Sequence, residues 1–159
     1  MEPKVIVIVG PTCSGKTSLA IDLALKLKTE IISADSRQVY RHLNIGTAKP
    51  DDSQLEKVKH HLIDFLDLDE RFSASKFSIE SSKIIEELLK QGKIPIIAGG
   101  SGLYVKALID GIIDEVQTDE VYRGELYKFQ KIHGNEFLYN ELLKVDPESA
   151  VKMLPQNWK

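Results

Sequence analysis

Apolar positions along the chain fall into two kinds of run. Residues 5–9 are apolar throughout, the pattern of a strand buried on both faces of a parallel sheet. Leu19, Ala20, Leu23, Ala24 and Leu27 instead recur at the spacing of one helix face. The alternation then repeats. Residues 30–34 predict a short second strand followed by a helical turn over 37–43, residues 60–65 a third strand, and residues 93–98 a fourth, with Pro95 suited only to its first positions. Phe77, Ile84, Ile85, Leu88 and Leu89 form a helical stripe that begins near Phe72-Ser73 and stops at Gly92, and residues 103–109 continue as helix after the fourth strand. Residues 45–50 have neither period and read as a loop, and residues 51–59 read as a short polar helix. Strands alternating with helices in this way predict an α/β fold around a parallel sheet.

After Asp110-Gly111 the pattern changes. Residues 121–132 and 136–144 are helical in period, and Asp146-Pro147 opens a third helix by N-cap and first-turn proline. The expected organisation is a core domain over 1–115 and an incomplete all-helical insertion over 116–159. The last residues give no clean domain ending, and Val151, Leu154 and Trp158 are expected to form an apolar edge that favours self-association. There are no internal repeats.

Composition narrows the classes. The chain has 159 residues, 42% hydrophobic and 28% charged, enough for a soluble core. No apolar run approaches the ~20 residues of a membrane span, and the first strand follows the N-terminal residues too closely to leave room for a signal peptide; a cytoplasmic protein without membrane contact is expected. Cys13 is the single cysteine, which excludes an intrachain disulfide and a cysteine metal cluster. A formal charge of −3 does not advertise a nucleic-acid binder. Arg37, Arg41, Lys49, Lys57 and Lys59, then Arg123, Lys128 and Lys131, read by charge alone as solvated surface. His60 and His61 are adjacent, so an extended chain sends them to opposite faces, and they make a poor metal pair.

The chemistry is concentrated between the first strand and first helix. Gly10, Pro11, Thr12, Cys13, Ser14, Gly15, Lys16 and Thr17 satisfy G-x-x-x-x-G-K-[ST], the phosphate-binding loop, in the strand, glycine-rich turn and helix order that the motif requires. Its glycines let backbone N–H groups and the positive end of the helix converge on phosphate oxygens. Lys16 adds a point charge on the terminal phosphates, and Thr17 offers its hydroxyl to Mg²⁺. The fold class expected is therefore P-loop NTPase-like, a three-layer α/β/α arrangement with a parallel sheet and the partial helical insertion. In an open parallel sheet the carboxyl ends of the strands form the ligand crevice. Asp35, at such an end, is a candidate catalytic carboxylate or equally a cap for the following turn. Gly99-Gly100-Ser101-Gly102, at another, either lets backbone approach a ligand or makes a tight turn. The strand over 94–98 runs into Gly-Gly and lacks the terminal acid that helps a triphosphate hydrolase hold Mg²⁺, and Leu62-Ile63-Asp64, the nearest imitation, is short. Transfer involving a small substrate gains from this. A metabolite kinase and a transferase that holds a diphosphate leaving group both remain open.

The phosphate loop, residues 34–40 (Ala-Asp-Ser-Arg-Gln-Val-Tyr), 46–50 (Gly-Thr-Ala-Lys-Pro), 60–64 (His-His-Leu-Ile-Asp), Phe72-Ser73-Ala74 with Phe77, and 99–104 (Gly-Gly-Ser-Gly-Leu-Tyr) resemble, in order and spacing, the tRNA dimethylallyltransferases, also called tRNA isopentenyltransferases. The family commonly has Thr where this chain has Ser101. The resemblance implies a cytoplasmic, monomeric enzyme that transfers a dimethylallyl group from dimethylallyl diphosphate to N6 of the adenosine just 3′ of the tRNA anticodon. By position, Thr12 to Thr17 would bind the diphosphate or a nucleotide, with Mg²⁺ at Thr17, and Asp35 would accept the N6 proton. Asp35, Ser36, Arg37 and Gln38 would hold the flipped-out base and its neighbours, and Ser101 and Arg123 would contact tRNA. Adenylate isopentenyltransferases, which prenylate a free nucleotide, are the nearest alternative. Family members run on for roughly as many residues again, so these 159 residues are expected to bind diphosphate weakly without transferring to tRNA.

Overall fold

The computed structural model describes residues 4–112 and 119–156. Packing divides the chain into two compact units, Met1–Asp114 and Glu115–Lys159. The boundary expected between residues 115 and 116 lies outside the described residues, as does Trp158.

The first unit is built on a four-stranded parallel sheet in the order β1-β4-β2-β3, from β1 (Ile6–Val9), β2 (Ile31–Ser33), β3 (His60–His61) and β4 (Ile96–Gly99). Helix α1 (Lys16–Leu27) follows β1, α2 (Asp52–Leu55) precedes β3, α3 (Ala74–Lys90) lies between β3 and β4, and α4 (Gly102–Asp110) follows β4. Strand pleating sorts the apolar residues into two cores. Ile31 and Ile96, with Ile6 and Ile8, pack against Ala20, Ile21 and Ala24 of α1 on one face. Ile32 and Ile97, with Val7, pack on the other against Phe77 of α3 and Tyr104 and Ala107 of α4. The Phe77 and Tyr104 rings stack with centroids 4.6 Å apart. Helices on both faces of a parallel sheet make the three-layer α/β/α architecture expected of a phosphate-loop fold.

Several elements differ from their sequence-based extents for identifiable reasons. β1 is an edge strand among the described residues, so it is only half-buried, and Val9 is 60% exposed. The third strand stops after His61 because Leu62 and Asp64 adopt left-handed backbone, φ 57° and 52°, which no strand tolerates. The helical turn expected over 37–43 is a run of turns over 36–39, and the expected 51–59 helix shortens to α2, closed at its start by a capping box between Asp51 and Gln54. Pro95 precedes β4, where its missing N–H is harmless and its carbonyl accepts from Ile6 N–H at 3.0 Å. Ser73 caps α3 by accepting from Lys76 N–H.

The second unit contains α5 (Glu120–His133), α6 (Asn135–Val145) and α7 (Pro147–Ala150). Asp119 and Asp146 cap α5 and α7 through their side chains. Phe129, His133 and Phe137 cluster between α5 and α6, with Phe129 and Phe137 centroids 5.6 Å apart. Val151 and Leu154 are exposed. No helix among the described residues is long and apolar enough to cross a membrane.

At the amino ends of the strands, Glu30 gathers two lysines and a histidine. Lys93 Nζ and His61 Nε2 each lie 2.7 Å from its carboxylate and Lys59 Nζ 3.3 Å away. His60 turns the other way, its Nδ1 2.8 Å from Val58 O. Burial pushes the Glu30 carboxyl up, but hydrogen bonds from Lys93, His61 and Lys59 together outweigh it and hold the group at about 2, below its ordinary 4.5. A folded-state value below the unfolded one stabilises the fold above pH 4.5, and that contribution disappears as pH falls through about 2. Glu30→Gln is expected to cost about 2 kcal/mol at neutral pH, and to flatten the acid limb of stability between those values, as measured by urea unfolding across pH.

Candidate functional site

The loop between β1 and α1 has the backbone that an anion site needs. Gly15 stands at φ 82° and Cys13 at φ 64°, and α1 starts at Lys16 with no side chain capping its first N–H groups. Those donors are therefore available to an anion. Lys16 Nζ folds back over the loop to Pro11 O, with Ser14 Oγ at 3.4 Å. A Cβ on Gly10 would come within 3.1 Å of Ser14 Oγ, so a side chain there would displace that hydroxyl by a few tenths of an ångström.

Asp35 follows β2 and is held by its own turn. Its Oδ1 accepts from Arg37 N–H at 2.8 Å and from Gln38 N–H at 3.3 Å. No hydrogen bond among the described residues engages Oδ2, which faces Gly100 closely enough that a Cβ there would sit 4.0 Å away. The cap and the free carboxylate oxygen thus coexist in one residue. The turn is fastened to the end of β4: Ala34 N–H donates to Ala98 O at 2.8 Å, Ser101 N–H to Ala34 O at 3.0 Å, and Ser36 N–H to Ser101 Oγ at 2.9 Å. Gly99 makes this approach possible, since a Cβ there would lie 2.0 Å from Ala34 O. Tyr104, beneath this junction, donates to Phe72 O at 2.8 Å. Burial, helped by Tyr40 and Asp35, pushes its phenol up, which leaves it a protonated donor at neutral pH.

A cavity of about 280 Å³ joins these parts, lined by residues 12–18 of the phosphate loop and α1 start, by Asp35 and Gln38, by Thr47, Ala48 and Gln54, and by residues 98–100. The structure brings Thr12, Cys13, Ser14, Gly15, Lys16, Thr17, Asp35 and Gln38 to one wall or another of this space. Ser36, Arg37 and Ser101 border the same turn without lining it. Arg123 belongs to the second unit, half-exposed, 3.5 Å from Glu120 on the same helix. Both side-chain N–H bonds of Gln38 are directed to Thr47 O and Ala48 O, at 3.2 and 2.9 Å, and its Oε1 accepts from Ser33 Oγ at 3.1 Å. Thr47, Ala48 and Gln54 escape a reading by charge and period, because the first two offer backbone and the third sits in a short polar helix. Cys13 is exposed in the loop; its alkylation by iodoacetamide is expected to slow several-fold when pyrophosphate is bound. Equal rates with and without the anion would show that the thiol points away from it.

A parallel sheet with helices on both faces, a glycine-rich loop after β1 and a carboxylate after β2 is an α/β arrangement of the P-loop-like class. The family model for IPP transferase matches residues 38–159, and the chain belongs to that family. It is 46% identical over 156 residues to tRNA dimethylallyltransferase 1 of Syntrophotalea carbinolica, and 47% identical over 156 residues to the tRNA dimethylallyltransferase of Acetivibrio thermocellus, in each case covering 98% of this chain. Those alignments take in 49% and 50% of the relatives, so the chain spans about half the length of the curated relatives it matches. Among solved structures, the tRNA isopentenylpyrophosphate transferase of Bacillus halodurans superposes with a TM-score of 0.68 at 41% identity, over 98% of this chain and 52% of that one. A eukaryotic dimethylallyltransferase acting on tRNA superposes with a TM-score of 0.83 at 33% identity, over 98% of this chain and 39% of that one.

Proposed function

We propose that this chain supplies the catalytic core of an enzyme that moves a dimethylallyl group from dimethylallyl diphosphate to N6 of the adenosine 3′-adjacent to the anticodon in tRNA. The observation that carries this reading is that one cavity is lined both by the phosphate loop and by Asp35. The relatives named above favour neither a kinase nor an enzyme acting on free nucleotide.

The geometry supports the following roles. Backbone N–H groups at the start of α1 and the Lys16 ammonium take the diphosphate and stabilise its charge as the bond from oxygen to the allylic carbon breaks. Lys16 would leave Pro11 O to do so. N6 of adenine is a weak nucleophile; as its bond to that carbon forms, the N6 proton passes to Asp35, whose Oδ2 is free while Oδ1 keeps the turn in place. A base reaches such a site only by leaving its stack, and Ser36, Arg37 and Gln38, with Ser101 beside them, border the place where it would lie. Arg123, in the second unit, would make a tRNA contact of its own.

The Thr17 hydroxyl is a hard oxygen donor of the kind Mg²⁺ takes together with phosphate and water oxygens. No group of three or more His, Cys, Asp or Glu side chains able to hold a metal by themselves occurs among the described residues. The residues thus fit a cation brought with the diphosphate, where Mg²⁺ would neutralise the leaving group.

The test is incubation with labelled dimethylallyl diphosphate and either tRNA or AMP, for this chain and for one extended to the length of its relatives. Label in tRNA from the extended chain, and pyrophosphate binding without transfer by the 159 residues alone, is the expected result. Label in AMP but not tRNA would sink the proposal.

A further inference from the structure

Charge alone places Lys49 among the surface cations; the structure buries it. Its side chain is 4% exposed, and its ammonium donates to Tyr40 O and Asn44 Oδ1, both at 3.0 Å, and to the carboxylate of Asp64. An ammonium has three N–H bonds, and here each has an acceptor. Desolvating such a pair is expensive and gives little net stability, so what the pair organises matters more than what it stabilises.

What it organises is the strap of residues 40–49. The cation sits at the end of the strap, its acceptors at the beginning and middle, and Asp64 fastens the knot to the segment after β3. Inside the strap Thr47 Oγ1 donates to Leu43 O at 2.7 Å, while the carbonyls of Thr47 and Ala48 accept the two side-chain N–H bonds of Gln38. Ala48 stands in left-handed backbone, φ 50°, which an alanine keeps only when its surroundings impose it. Thr47, Ala48 and Gln38 line the cavity.

We propose that Lys49 is a positioning residue: by its pair with Asp64 it clamps the Thr47–Ala48 strap against Gln38, and so fixes the part of the cavity wall that meets the organic group of a diphosphate ester. The nature of that group rests on the function proposed above. The phosphate loop takes the phosphates, which leaves the strap to face the remainder of the ligand. The side-chain donors of Gln38 and Thr47 are directed into the strap, so this wall does not offer them to a further phosphate. It suits a short apolar group better.

The experiment measures affinity for inorganic pyrophosphate and for dimethylallyl diphosphate, with thermal unfolding alongside, in the wild-type chain and in the Lys49→Met and Lys49→Arg variants. Lys49→Met is expected to weaken dimethylallyl diphosphate about tenfold and pyrophosphate less than about twofold, in line with loss of orientation and not of charge at the anion site. Lys49→Arg keeps the charge but cannot place its planar fork on the same three acceptors, so an intermediate, equally selective loss is expected from it. Equal loss of both ligands, or no loss of either, in whichever variant folds would overturn the role of Lys49 and leave the proposed function standing. A wild-type chain that binds the two ligands equally would overturn tail recognition by the strap, and with it the reading of the ligand itself.

Discussion

Asp35→Asn, in a chain extended to the length of its relatives, is expected to lower the rate of prenyl transfer by about two to four powers of ten. The substitution is clean because of how the two carboxylate oxygens are divided. Oδ1 accepts from Arg37 and Gln38 N–H, and an asparagine Oδ1 can accept the same bonds. The turn should therefore stay, at a cost of about 1 kcal/mol for replacing a charged acceptor by a neutral one. What asparagine cannot do is take a proton from N6. Diphosphate affinity, set by the loop and Lys16, should change little. Single-turnover transfer measured beside a pyrophosphate titration separates the two roles. A variant that unfolds more readily while its transfer rate holds would make Asp35 a cap and nothing more.

Gly99→Ala is expected to destabilise the first unit by about 3 kcal/mol, at the upper end for added bulk in a packed site. The obstacle is backbone: the new Cβ would lie 2.0 Å from Ala34 O, so β4 and β2 would have to part at their carboxyl ends. That parting breaks the bonds among Ala34, Ala98 and Ser101 that hold the Asp35 turn beside the phosphate loop. Stability and pyrophosphate affinity should fall together. Gly102→Ala is the control, because a Cβ there meets nothing within 4 Å and the residue begins α4. It should be neutral or slightly stabilising by helix propensity. Urea unfolding of the two variants decides the matter, and similar midpoints would contradict the steric argument.

What could be read from the sequence was what is local. The phosphate loop, its flanking strand and helix, the helix start near Ser73 and the cap at Asp146 each depend on residues a few positions apart, and the structure has them all. Asp35 was legible as an acid at a strand end, because topology alone sends such ends to one crevice. Properties set by distant partners were not legible. Lys49 looks like any surface lysine until Tyr40, Asn44 and Asp64 surround it. The uniform apolarity of residues 5–9 suggested a central strand, yet periodicity says nothing of strand order, and β1 stands at the edge of the described sheet. The left-handed backbone that ends β3 is imposed at Leu62, a residue with no preference for it.

The edge position of β1 bears on how the anion site moves. Among the described residues, the strand that carries the phosphate loop is zipped to the sheet along one side, through β4, from Ile6 opposite Ile96 to Val9 opposite Gly99. A one-sided ladder is the first to fray, so the amide protons of residues 6–9 should exchange with solvent sooner than those of Ile31 to Ser33, which lie between two neighbours. An anion gripped at once by the end of that ladder and by the start of α1 would act as a clasp, slowing exchange in β1 well beyond the residues it touches. The loop would then report ligand to the whole sheet through a strand whose looseness is what makes it responsive.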